Sequence, residues 1–245
     1  MYTPRKFEKK EKPYKFLTLS FDDGVTQDER FIELLDKHNI LCTFNINSGL
    51  FGNKHFIEGD TWRVDHSEVD REVAERIYVN HEVAAHSLTH PRLDLLSKED
   101  LLHEVGDDVK NLREVSGQNV WGMAYPGGPF FNDFVIETLL ENTPIRYARD
   151  IQSTYNYDMP DNLMIWHPTC HWRDERVDEM IEKFIALEPT EDCLLYIWGH
   201  SYEFDIYNAW ERVDELLSSM ANKEGITYAT NGEIAEYIMN NTEKI

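Results

Sequence analysis

Cysteine is scarce in this chain of 245 residues: Cys42, Cys170 and Cys193 stand far apart. That excludes a disulfide framework or a thiolate zinc site, and the three read as reduced thiols. Basic residues are also few, with 24 Lys and Arg against 46 Asp and Glu and a formal net charge of -22. Such a field repels phosphate backbones and anionic lipid surfaces, so neither nucleic acid nor membrane is an expected partner. A neutral or cationic substrate, or a metal ion, suits it better, although much of the acid is expected to be a solvated face. Long apolar runs are missing too. The opening MYTPRKFEKKEKPYK is basic with no apolar stretch behind it, which reads as a short leader and a cytoplasmic location. No repeat, low-complexity tract or linker interrupts the rest, so a leader over 1–15 and one domain over 16–245 are expected.

What is present is enough for a core, at 41% hydrophobic residues. Short apolar runs predict strands at 15–21, 40–46, 82–86, 121–125, 145–149, 163–167, 193–198 and 226–230. Between several of them, apolar residues at three and four spacing predict helices near 28–39, 67–80, 97–116, 132–142, 174–187 and 208–222. Ser97 with Asp100 three residues on is an N-cap signal. Strand and helix alternating in this way predict a parallel α/β sheet closed, or nearly closed, into a barrel. Chemistry in such folds gathers at the carboxyl ends of the strands. Asp22, Asp23, His86, His90, Pro126, Gly127, Gly128, His167, His171 and His200 all follow predicted strands and are expected on one rim.

Four stretches carry candidate chemistry. LSFDDGV places two aspartates after a strand, which reads as a helix cap and turn or as a metal ligand beside a free base. AAHSLTH sets His86 and His90 four residues apart; with a carboxylate they form an open set for a divalent metal, and without one they are ordinary polar histidines. AYPGG is either a plain turn or a backbone N–H brought close to a substrate oxygen. YIWGHSYEF ends a strand on His200, a core histidine or a general acid.

In sequence and order, SFDDG, HSLTH, YPGG and WGH resemble the motifs of the polysaccharide deacetylase family, the NodB-homology domain of carbohydrate esterase family 4, over residues 16 to about 240. The resemblance implies a distorted (β/α)7 barrel that removes acetyl groups from sugars with one divalent metal ion, commonly zinc. By position it implies Asp22 as the base, Asp23, His86 and His90 as metal ligands, Gly127 N–H as oxyanion donor and His200 as the acid. It also keeps in view a metal-independent amidohydrolase of cyclic imides or ureides, and an inactive glycan-binding module, on the same barrel.

Two departures stand out. The arginine that the family carries two residues before the motif proline is Ala124 here, and Arg149, ending the next predicted strand, is the candidate replacement. The family's tryptophan-bearing fourth motif is replaced by DIQSTYNYDMPDNLMIWHPTCHW. Trp166, His171, Trp198 and Arg149 are therefore the expected substrate-pocket residues, with an acetylated soluble oligosaccharide or small sugar as partner.

Overall fold

Residues KFLTLSFDD form a strand buried along its whole length, β1 (Lys15–Asp23), as expected of a central strand in a parallel sheet. The computed structural model describes residues 2–241. After β1 come α1 (Asp28–His38), β2 (Thr43–Ile46), the short strands β3 (Phe56–Glu58) and β4 (Arg63–Asp65), and α2 (Arg71–Ile77). Next are β5 (Glu82–Ala85), α3 (Lys98–Leu101), α4 (Asp108–Ser116), β6 (Gly122–Ala124), α5 (Asp133–Asn142) and β7 (Tyr147–Arg149). The chain continues through β8 (Cys170–His171), α6 (Val177–Ala186), β9 (Cys193–Gly199), α7 (Glu203–Ile206), α8 (Trp210–Met220), β10 (Ile226–Tyr228) and α9 (Asn231–Asn241).

The main sheet runs β7-β6-β5-β2-β1-β9-β8 with every pairing parallel. β10 pairs with Lys15–Leu17 of β1, below the stretch Ser20–Asp23 that pairs with β2. The two ends of the sheet meet through one segment. Residues 163–166 bond to β7, with Ala148 N–H donating to Leu163 O at 2.8 Å and Trp166 N–H to Ala148 O at 3.0 Å. A few residues on, Thr169 N–H donates to Tyr196 O at 2.8 Å and Trp172 N–H to Trp198 O at 2.9 Å on β9. The fold is the expected distorted (β/α)7 barrel. The strand expected at 163–167 is reduced to a single bridge between Arg149 and Trp166. The segment must leave one neighbour for the other within a few residues, and Pro168 has no N–H to continue a ladder. The β3–β4 hairpin was not anticipated, because its strands are short and partly exposed and carry no apolar run.

Helix ends follow local rules. Asp28 and Glu29 open α1, Lys37 and His38 close it, and Asn39 caps it in the left-handed region. Ser97 accepts from Asp100 N as expected, and Asn132 caps α5 by accepting from Val135 N. The expected helix over 97–116 is interrupted by a π turn, Leu102–Asp107. At the amino ends of the strands, buried Glu82 accepts from Gly232 N–H (2.9 Å), Thr43 Oγ1 (2.7 Å) and Tyr147 OH (2.9 Å), which fastens the first turn of α9 under the barrel. Residues 2–5 dock there too: Arg5 pairs with Glu233 at 2.7 Å, and Tyr2 OH lies 2.6 Å from Thr230 Oγ1. The cysteines are free and buried, and among the described residues no helix is long and apolar enough to cross a membrane.

Asp28 ties α1 to two distant elements, accepting from Ser201 Oγ at 2.6 Å and Tyr78 OH at 2.7 Å. Burial pushes its carboxyl up to about 7, against those two hydrogen bonds. An acid raised in the folded state contributes stability that is full below about pH 4 and is lost as pH rises through about 7. Asp28→Asn removes that dependence. Its stability relative to the parent, measured by urea unfolding, should improve by roughly 2–4 kcal/mol between pH 4 and pH 8. A difference that does not change with pH would refute the assignment.

Candidate metal and acid–base site

The carboxyl ends of β1, β2, β5, β6 and β9 surround a cavity of about 530 Å³, within the usual range for small-molecule sites. Its lining includes Asp22, Asp23, His86, His90, Gly127, Trp198 and His200. Successive side chains of a strand point to opposite faces, and Asp23 and Gly24 then take left-handed φ values of 80° and 73°. A Cβ on Gly24 would lie 2.7 Å from Ile46 Cγ2, so glycine is required there twice over. The adjacent carboxylates thereby enter separate surroundings.

Asp22 accepts from the guanidinium of Arg149 and from Asn45 Nδ2 at 2.8 Å, and its Oδ2 lies 4.0 Å from His200 Nε2. Both Asp22 and Arg149 are buried. The β6–β7 register sets Arg149 directly beside Ala124, so the cation missing from the third motif arrives from the neighbouring strand. Arg149 was also expected in the substrate pocket. It is absent from the cavity lining, because its guanidinium is spent on Asp22 and stacks 4.6 Å over the Trp198 ring.

Asp23 faces histidines. Its Oδ1 lies 3.5 Å from His86 Nε2 and 3.9 Å from His90 Nε2, and its Oδ2 accepts from His66 Nε2 at 3.2 Å. Burial alone would raise this carboxyl, but the hydrogen bonds of His66 and His86 and the charge of His200 hold it well below the usual range. Ligand atoms of Asp23, His86 and His90 lie within 4.8 Å of one another. His86 Nδ1 lies 2.9 Å from Ala124 O, so on losing one proton the ring can keep Nδ1–H there and free its Nε2 lone pair toward Asp23. In that state two imidazoles with one carboxylate fit zinc or a similar divalent ion.

The loops behind these ligands are anchored by groups that motif reading missed. Buried Asp108 accepts from His86 N–H at 3.0 Å and from Ser48 N–H and Oγ at 2.9 and 2.6 Å. The π turn lets Glu104 O accept from Leu88 N–H at 2.9 Å, while its carboxylate accepts from Thr89 N–H and Oγ1 at 2.9 and 2.8 Å. Ser87 and His90 are thus held at left-handed φ values of 64° and 61°. An interruption in helical periodicity at Gly106 was the available signal.

Gly127 takes φ 68° in the YPGG turn, and among the described residues its N–H has no acceptor. His200 sits beside Glu203, with Nδ1 at 3.7 Å from Oε1. Burial disfavours the imidazolium, but Glu203, Asp23 and Asp22 outweigh it and push the pKa up to about 9. Glu203 also accepts from His171 Nε2 (3.0 Å) and Trp172 Nε1 (2.6 Å), so His171 sits behind His200 and does not line the cavity. His200 followed by Glu203 at helical spacing was the legible cue. Trp198 lines the cavity as expected. Trp166 does not: it is 1% exposed, edge-on to Tyr147 and Tyr196, because the barrel-closing segment carries it into the core. Pro126 and His167 are likewise outside the lining, and His167 Nδ1 bonds Asp150 at 2.8 Å.

Comparisons with solved structures agree with this fold. Among solved structures, a pseudoenzyme of carbohydrate esterase family 4 from Bacillus anthracis is similar at 15% identity, with 96% of this chain and 70% of that chain covered and a TM-score of 0.57. The family 4 domain of a multidomain xylanase from the hindgut metagenome of Trinervitermes trinervoides is 15% identical over 93% of this chain and 91% of its own, with a TM-score of 0.56. A family 4 carbohydrate esterase from Bacillus anthracis is 13% identical over 97% and 87%, with a TM-score of 0.54. At these identities the likeness concerns the fold. The chain spans 61% of the length of a Streptococcus pyogenes deacetylase that it also matches. No curated protein sequence matches it significantly. The family described as polysaccharide deacetylase matches residues 9–148, which is more than half of the sequence and carries Asp22, Asp23, His86, His90 and Gly127, and on that match the chain belongs to the polysaccharide deacetylase family.

Proposed function

We propose that the protein is a metal-dependent hydrolase that removes acetyl groups, on nitrogen or oxygen, from a soluble oligosaccharide or small sugar. One observation carries this reading: adjacent Asp22 and Asp23 face one cavity, the first joined to Arg149 and near His200, the second facing His86 and His90. The solved pseudoenzyme shows that the fold alone does not guarantee activity, so the reading rests on these retained groups. A zinc or similar ion held by Asp23, His86 and His90 would polarise the acetyl carbonyl and lower the pKa of a water to about 7.

The chain's own residues do the rest. Asp22, steadied by Arg149 and Asn45, accepts a proton from the attacking water as that water adds to the acetyl carbon. Gly127 N–H donates to the carbonyl oxygen as negative charge develops on it. His200 passes its proton to the departing amine or alkoxide as the C–N or C–O bond breaks, leaving acetate and the free sugar. With a pKa near 9, His200 is charged and ready to donate at neutral pH. Trp198 forms the cavity wall beside the acid, its ring 5.5 Å from that of His200. Enclosure by the β3–β4 hairpin residues His55, Ile57 and His66 favours a short substrate over an insoluble polymer.

Acetate release from N- and O-acetylated oligosaccharides tests the assignment. Asp22→Asn should lower kcat by about 1,000-fold with metal content unchanged; a loss under tenfold would remove Asp22 as the base. Arg149→Ala should cost about 100-fold through misplacement of Asp22, and adding Ala124→Arg should recover part of it. Failure of that pair in spite of native-like folding would mean that Arg149 does not act by positioning Asp22. Glu203→Gln should lower the His200 pKa, read by imidazole NMR titration of the metal-free protein. The alkaline limb of the activity profile should move to lower pH in step, and an unmoved pKa would show that Glu203 does not tune the acid.

A further inference from the structure

Beside the Asp23 cluster, two further groups of ligating side chains lie close enough to share an ion. In one of them, His171, His200 and Glu203, the carboxylate already has donors: Glu203 accepts from His171 Nε2 at 3.0 Å and from Trp172 Nε1 at 2.6 Å, and the unpartnered atom is His200 Nδ1, 3.7 Å from Glu203 Oε1. In the other, His55, His66 and Glu68, a carboxylate oxygen is itself without a partner. This group flanks the β3–β4 hairpin, where His66 N–H donates to His55 O at 3.0 Å and Glu68 N–H to Asn53 O at 3.1 Å, so the backbone holds the three residues together. The imidazole centroids of His55 and His66 are 4.9 Å apart, and all three side chains line the cavity.

The hydrogen-bond inventory of this cluster does not close. Glu68 is 2% exposed, yet its Oε2 has no hydrogen-bond partner, and neither does His66 Nδ1. His66 Nε2 donates to Asp23 Oδ2, so in the neutral ring Nδ1 carries a lone pair. That lone pair faces Glu68 Oε1 across 3.9 Å, and His55 Nδ1 lies 3.6 Å from Oε2. These separations are too long for hydrogen bonds. Glu68 Oε2 and His66 Nδ1 are buried without a donor, which is costly, and a cation held between them and His55 removes the cost. Asn53 Nδ2, 3.2 Å from His55 Nδ1, is the one contact that an ion bound through that nitrogen would displace.

We propose that His55, His66 and Glu68 form a second divalent-cation site in the cavity wall, linked to the first through His66, whose other nitrogen bonds Asp23. Two imidazoles and a carboxylate again make an open set suited to zinc, cobalt or manganese, with positions left for water or a substrate oxygen. The site stands on residues other than the hydrolytic ones and holds whether or not the protein releases acetate.

The test is metal stoichiometry on the full chain, stripped with chelator and titrated with Zn²⁺, and with Co²⁺ for its visible absorption. Two equivalents per chain are expected. Glu68→Gln and His55→Ala should each lose one equivalent, or weaken it at least tenfold, and retain the other. The His86→Ala, His90→Ala double variant should lose the complementary equivalent. His55 is partly exposed, so its variant keeps the test valid if loss of buried Glu68 impairs folding. One equivalent in the parent protein, or two that persist in folded His55→Ala and Glu68→Gln, would overturn the proposal.

Discussion

Two carboxylates that are neighbours in the chain lie buried at the end of the central strand, and the rest of the site is arranged around the cost of keeping them there. Unpaired, each would protonate or unfold its surroundings. Strand alternation and the left-handed backbone at Asp23 and Gly24 send them to different partners. Asp22 meets a guanidinium and an amide, which fix its direction. Asp23 meets imidazoles whose geometry also suits an ion. The same separation that makes burial tolerable assigns the two groups different chemistry.

Part of the acidic composition is structural and internal. Asp28, Glu68, Glu82, Asp108 and Glu233 are all buried, and most of them accept from backbone N–H groups or hydroxyls of elements far apart in sequence. Asp108 is a clear case: by holding His86 N–H and Ser48 it converts a helix start into a brace for the loop that carries His86. A solvated acidic face accounts for only part of the composition.

The alternation of strands and helices, and the placement of Asp22, Asp23, His86, His90, Gly127 and His200 around one cavity, could be read from local patterns, because each follows an apolar run whose end the rim must contain. The exchange of Ala124 for Arg149 was legible only as a candidate, since register between strands is a tertiary quantity. Trp166 and the 163–167 segment misled because an apolar run that bonds first to one strand and then to another looks like a strand of its own. His55, His66 and Glu68 were missed for the opposite reason: their hairpin is short and polar, and only its closure brings them together.

The pairing pattern of β1 bears on how such a chain is made. Its two edges are completed by residues 193–199 on one side and, in its amino-terminal third, by residues 226–228 on the other. During vectorial synthesis the strand that carries both aspartates therefore waits, with one edge open, until the distant β9 and β10 have emerged, and an open apolar edge is a site for pairing with another chain. Truncated or stalled chains should thus be sticky, and the rim that gathers Asp22, Asp23 and His200 is complete only with the last turn of the barrel.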